Sequence, residues 1–308
     1  MNNASCAYCK NDYPLIFKNI IDFRLDLNSQ DDGRLTDLIL KNYSKKYVEL
    51  IELKNNTQSN ASLRKRFLEV DRKLLIRNKE KQKIISRLSG FSNNISLFLE
   101  LGCGAGSAIH TMSRKANYVI GVDLSLSQLL LANRILLEEN VQNVLLVCAS
   151  IDNLPLKDGI FDVVFASDVI EHVPDQINFL KVGYNKLRTG GKFIFNSPNR
   201  YSIFSAEPHT GVWFAGFFPR KLIKNYIYLL KRIDYYGKRL LSYFELKNMI
   251  KHLGYSFTIN GILKEELEGA SKNKTKAKIL KIIPCGFFIL NKIFKYFIPT
   301  YTVVIVRK

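Results

Sequence analysis

The feature that most restricts this chain is Leu99-Glu100-Leu101-Gly102-Cys103-Gly104-Ala105-Gly106, in which three glycines alternate at a single junction. Before it stands the short apolar run Ile95–Leu101, which reads as a buried strand ending in a sharp turn. After it, Ser107–Lys115 reads as a helix. Glycine at such a junction lets the backbone turn tightly and approach a ligand that side chains would hold away. In an open α/β sheet that is where ligands bind, outside the carboxyl ends of the strands.

The segments that follow keep the same alternation. Tyr118–Val122 reads as a strand, and Ser125 with Gln128 forms a capping box that opens a helix to about Asn140. Val144–Cys148 and Phe161–Ala166 read as strands and Asn178–Leu187 as a helix stopped by Gly190-Gly191, with a fifth strand at Lys192–Asn196. Near-continuous apolar strands alternating with helices imply a parallel sheet covered on both faces. Residues 199–240 break the rhythm with many aromatics, and Ser242 with Glu245 then caps a helix ending at Gly254. Tyr255–Asn260 and Tyr301–Val306 read as two closing antiparallel strands. Residues 1–60 are polar and weakly periodic, expected as a loosely ordered or helical lead-in, and Arg64–Leu88 reads as a helix with a basic outer face.

The glycine spacing is GxGxG, with Ser107 at the place of the last glycine in the dinucleotide fingerprint GxGxxG. With Glu100 before the first glycine, it resembles motif I of the class I S-adenosylmethionine-dependent methyltransferases. A plain Rossmann turn for another nucleotide is the alternative reading of the loop. Further motifs fall in register: Val122-Asp123 at the end of the second strand, Ala149-Ser150-Ile151-Asp152-Asn153-Leu154-Pro155-Leu156 after the third, and Phe161-Asp162-Val163-Val164 opening the fourth. Asp168-Val169-Ile170-Glu171-His172-Val173 and Leu187-Arg188-Thr189-Gly190-Gly191 complete the series. Together they are similar to the methyltransferase type 11 group that includes the ubiquinone and menaquinone biosynthesis enzymes, over roughly Phe91–Asn199.

The resemblance implies a Rossmann-like, doubly wound α/β fold with a mostly parallel seven-stranded sheet and an antiparallel closing strand. It also implies the cofactor S-adenosyl-L-methionine. Glu100 and the loop Gly102, Cys103, Gly104 and Gly106 would hold the methionine part, and Asp123 with Leu124 the ribose. Ser150 and Ile151 would lie against adenine, with Ser167 at the end of the fourth strand. Ser150 stands where many relatives carry Asp, so its hold on the adenine amino group is expected to be weaker.

Methyl transfer needs a nucleophile held in line with an activated methyl group, and an oxygen nucleophile also needs a base. His172 and His209 are the candidate catalytic residues. The other reading makes His172 a brace for the loop after the fourth strand and His209 a hydrogen bond that orders the insertion. Asp168, Glu171 and His172 resemble a metal-ligand motif of some quinone and small-RNA methyltransferases, but no further ligand is assured, and no metal is expected. Cys6-Ala7-Tyr8-Cys9 is a lone CxxC without the second pair that a structural zinc needs.

The net charge of +19 is unevenly spread, at +7 over residues 1–90, −2 over 91–215 and +14 over 216–308. The excess therefore bears on the acceptor or the surface at which the chain works. Four parts are expected: a polar extension 1–63, a cofactor-binding core 64–198, a substrate-cover insertion 199–241, and closing strands 242–308 with an amphipathic segment 276–298. That segment mixes Lys with bulky apolar residues suited to an anionic membrane interface, or to packing on the sheet edge. Neither a secretory signal nor a spanning helix is evident, and five scattered cysteines point to a reducing, cytoplasmic setting; the amphipathic segment adds the expectation of peripheral contact at the inner face of a membrane. The expected reaction is O-methylation of a small-molecule or lipid- or glycan-linked acceptor. An RNA methyltransferase using the basic flanks and a non-catalytic cofactor-binding protein are the alternatives.

Overall fold

A computed structural model describes residues 2–5, 12–17, 19–24, 30–57, 88–90, 95–260 and 296–308, with Arg64, Leu68 and Ile85. Most of the basic helix expected at Arg64–Leu88, Cys6, Cys9 and Cys285, and all but the last three residues of 276–298 lie outside these. The chain divides into two compact units. The first comprises Met1–Ser167, Val182–Ile194 and Arg307–Lys308, and the second Asp168–Lys181 and Phe195–Val306.

The first unit is a mixed, mostly parallel sheet. Its strands are β1 (Asn2–Ser5), β2 (Asp12–Ile16), β3 (Ile20–Asp22), β4 (Ile95–Leu101), β5 (Ala116–Asp123), β6 (Val144–Cys148), β7 (Phe161–Ser167) and the first part of β8 (Leu187–Pro198). They lie in the order β1-β2-β3-β6-β5-β4-β7-β8. The pairs β3/β6, β6/β5, β5/β4 and β4/β7 are parallel, while β1/β2 and β2/β3 are antiparallel. This is the α/β architecture that the strand–helix alternation implies, but among the described residues the sheet has ten strands in all rather than the seven expected. Phe98, Leu99, Leu101, Val122, Val147 and Phe165 form its buried centre.

Two local expectations are corrected. The first sixty residues are more than a loose or helical lead-in: three short strands precede α1 (Gln30–Lys41) and α2 (Tyr47–Asn56), and both helices pack on α4 (Leu126–Glu138). The fifth expected strand begins at Leu187 rather than after Gly190-Gly191. A Cβ at Gly191 would stand 2.8 Å from the Phe161 carbonyl oxygen and 2.9 Å from that of Arg188, so glycine lets this strand turn tightly and continue. The short helix α3 (Ser107–Met112) follows the glycine loop, and α5 (Gln176–Lys186) precedes β8.

In the second unit the last residues of β8 neighbour β10 (Thr300–Val306), which pairs antiparallel with β9 (Ser256–Asn260). Between them come α6 (Arg220–Lys231) and α7 (Tyr243–His252). Ser242 and Glu245 form the reciprocal capping box of α7 that the sequence announces. Val212, Ala215 and Ile227 give the 199–241 stretch a small core of its own, with Ile223 and Tyr235 packed against it.

Candidate functional site

The glycine loop joins β4 to α3 with Gly102, Gly104 and Gly106 all at positive φ, +68°, +51° and +90°. Gly106 is also sterically required, because a Cβ there would meet the Ala132 Cβ at 3.0 Å where the loop passes α4. A Cβ on Gly104 would instead point into open space, so the front of the loop is clear for a ligand.

Two carboxylates hold this loop. Glu100 is buried, 1% exposed, and its Oε2 accepts the Ile109 N–H at 2.9 Å, tying the end of β4 to α3. Asp123 closes β5; its Oδ2 accepts the Gly104 N–H at 2.8 Å and its Oδ1 the Ser125 N–H at 2.9 Å. Burial raises the Asp123 pKa, and these two N–H donors oppose that rise. Each carboxylate oxygen retains capacity for a further hydroxyl donor. The fit to an adenosyl cofactor rests on this carboxylate and on the open face of the glycine loop.

The remaining cofactor candidates are less alike than the motif suggests. Cys103 is buried with its sulfur turned toward Gly121, so only its backbone can face a ligand, and burial pushes its thiol well above the usual range. Leu124 is exposed beside Asp123. Ser150 caps the 3-10 turn Ile151–Asn153 by accepting the Asp152 N–H at 3.3 Å. Ile151 is half-buried in that turn, and Ser167 ends β7.

The second unit brings the two histidines together. The rings of His172 and His209 meet edge to face with centroids 4.7 Å apart. Both approach one buried carboxyl: Glu171 Oε1 lies 4.0 Å from His172 Nε2 and 3.8 Å from His209 Nε2. Glu171 is 1% exposed, and among the described residues neither of its oxygens has a hydrogen-bond partner. Burial, reinforced by Asp168, pushes its pKa up to about 8. Burial and the charge of Lys238 lower that of His172, favouring the neutral ring at physiological pH. One donor atom from each of Glu171, His172 and His209 lies within 4.8 Å of the others, close enough for a divalent cation. Asp168, the first acid of the motif compared with metal sites, is not in this group.

Sequence reading missed the groups that hold His209 in place. Glu207 Oε2 accepts the N–H of His209 at 3.0 Å and of Thr210 at 2.6 Å, fixing the turn that carries the ring. An acid two residues before a candidate histidine was the available signal.

Comparison with known proteins agrees with this geometry. The family described as "Methyltransferase domain" matches residues 99–195, from the end of β4 into β8. These residues are a class I S-adenosylmethionine-dependent methyltransferase domain. The ubiquinone biosynthesis O-methyltransferase of Acinetobacter baumannii (strain ACICU) is 31% identical over 116 residues, which are 35% of this chain and 49% of that one. Phosphoethanolamine N-methyltransferase 1 of Zea mays is 28% identical over 188 residues, 57% of this chain and 33% of its own. The chain thus spans about half or less of the length of these curated relatives. The S-adenosylmethionine-dependent methyltransferase of Mesorhizobium loti shares the fold, with TM-score 0.51 at 17% identity over 73% of this chain and 96% of that one.

Proposed function

We propose that this methyltransferase acts on an oxygen of a small-molecule or lipid- or glycan-linked acceptor, with the acceptor's proton passing to a histidine. The observation that carries the reading is the His172 ring packed edge to face on His209 beside buried Glu171, with burial lowering the His172 pKa. S-adenosylmethionine, when bound, supplies a sulfonium methyl already activated for displacement. Within the first unit, the Gly102–Gly106 backbone, braced by Glu100, cradles the methionine part. Asp123 beside Leu124 accepts from the ribose hydroxyls, and Ser150 and Ile151 flank the adenine, with Ser167 at the strand end beyond.

The second unit handles the proton. His172, the more exposed of the pair, is the base to which the acceptor hydroxyl proton would pass. His209, anchored through Glu207, fixes the ring against which His172 packs. The positive charge of the flanks suits an anionic acceptor, or one carried on an anionic membrane.

The test is transfer of labelled methyl from S-adenosylmethionine into a metabolite and lipid extract from cells lacking the gene. His172→Ala should lower turnover about 100-fold while S-adenosylhomocysteine binds as in the parent. Undiminished transfer in that variant, or label found on nitrogen, would overturn the oxygen-and-histidine reading. Activity lost to a chelator and restored by a divalent cation would reassign Glu171, His172 and His209 to metal binding.

A further inference from the structure

Strand β3 extends the parallel sheet beyond β6, so that Asp22, Cys148 and Asp123 stand in one register at the carboxyl ends of β3, β6 and β5. Asp22 and Asp32 both bind Arg24. Its Nη2 lies 2.8 Å from Asp22 Oδ2 and its Nη1 3.2 Å from Asp32 Oδ2. Asp32, on α1, then reaches the loop after β5. Its Oδ1 accepts the Ser125 hydroxyl at 2.6 Å, and its Oδ2 accepts the Leu126 N–H at 3.1 Å. Ser125 in turn caps α4 through the Gln128 N–H and donates its own N–H to Asp123 Oδ1. A continuous chain of contacts therefore runs from Arg24 through Asp32 and Ser125 to Asp123 and on to the Gly104 N–H.

We propose that Asp32, clamped by Arg24, is a positioning residue for cofactor binding, fixing through Ser125 the orientation of the Asp123 carboxylate. Arg24 and Asp32 lie outside the 99–195 stretch, so a segment before the methyltransferase domain completes its adenosyl site. The inference rests on Asp123 being the ribose acceptor. A carboxylate that must meet two vicinal hydroxyls has little angular freedom, and the Ser125 N–H is one of the donors that set its plane. Releasing Ser125 from Asp32 removes that constraint while leaving every group that touches the cofactor in place. The loss should therefore fall on ribose recognition, seen in the Michaelis constant for S-adenosylmethionine more than in turnover.

The experiment titrates S-adenosylhomocysteine and its 2′-deoxy analogue into the full chain and into Asp32→Ala, Asp32→Asn, Asp123→Ala and the double variant Asp32→Ala/Asp123→Ala. Asp32→Ala should bind S-adenosylhomocysteine roughly fivefold more weakly, the size expected for one lost hydrogen bond, and should lose much of the preference for the ribo form. In the Asp123→Ala background, adding Asp32→Ala should change nothing further. A merely structural role would lower thermal stability but leave the folded protein's ribose preference intact, and that result overturns the inference. Should the alanine variant fail to fold, Asp32→Asn reads the same preference. If Asp123→Ala itself binds both ligands as the parent does, the ribose assignment fails. If only Asp123→Ala loses the preference, the positioning role alone fails.

Discussion

Among single residues, Glu171 makes the sharpest demand on the fold. A buried carboxyl with its pKa raised from 4.5 to about 8 keeps a proton that the unfolded chain gives up. The stability this group contributes is therefore fully present below about pH 4.5 and declines as pH rises toward 8, because the unfolded state releases its proton first. Glu171→Gln holds the neutral form at every pH. It should melt higher than the parent at pH 8.5, with the gap closing near pH 4.5 in thermal denaturation followed by circular dichroism. The same side chain shows how far single residues were legible. Asp123 and the three glycines announce themselves because their spacing is set by one short backbone path. The meeting of His172 with His209 is not announced, because the two stand far apart in the chain and only the Glu207-fixed turn aligns them. Asp32 was invisible for a related reason, since an acid in a polar helix looks like any solvated side chain.

The order of the βα units in the core was legible, and some strands almost to the residue, since a buried strand is a continuous apolar run bounded by a turn residue. Strands β4 and β6 occupy the spans their apolar runs mark. Strands β1 to β3 escaped because they are short, polar at their ends and stabilised by pairing rather than by a period of their own. Motif residues can also serve the element instead of the chemistry. Asp162, in the Phe161-Asp162-Val163-Val164 motif, accepts the Ser96 and Leu97 N–H groups at 2.8 Å each and the Arg188 Nε at 2.5 Å. It thereby ties the start of β4 to β7 and β8. Asp162→Ala leaves those donors without their acceptor and should cost about 2–3 kcal/mol in urea denaturation. S-adenosylhomocysteine affinity of the folded fraction should remain that of the parent, and a large drop would show that Asp162 reaches the cofactor site.

Over the whole molecule, charge and chemistry separate along the sequence. Residues 91–215, at −2, contain the methyltransferase domain, and residues 216–308 carry +14. Among the described residues no helix is long and apolar enough to cross a membrane. Exposed Trp213, Phe214, Leu222 and Leu229 accompany Lys221 and Lys224 in the second unit. Vesicles containing phosphatidylglycerol should therefore carry the full chain upward in flotation at low salt and release it as salt screens the charge, while neutral vesicles should not. Flotation that ignores salt and headgroup charge would count against an anionic surface as the place of work. The two units, moreover, are interleaved rather than consecutive. The chain leaves the first after Ser167, returns for Val182–Ile194, leaves again, and comes back at Arg307, whose N–H donates to the Gly191 carbonyl. Neither unit can be excised as one uninterrupted stretch of gene. An exchange of the histidine-bearing unit would have to move two separated stretches, Asp168–Lys181 and Phe195–Val306, at once.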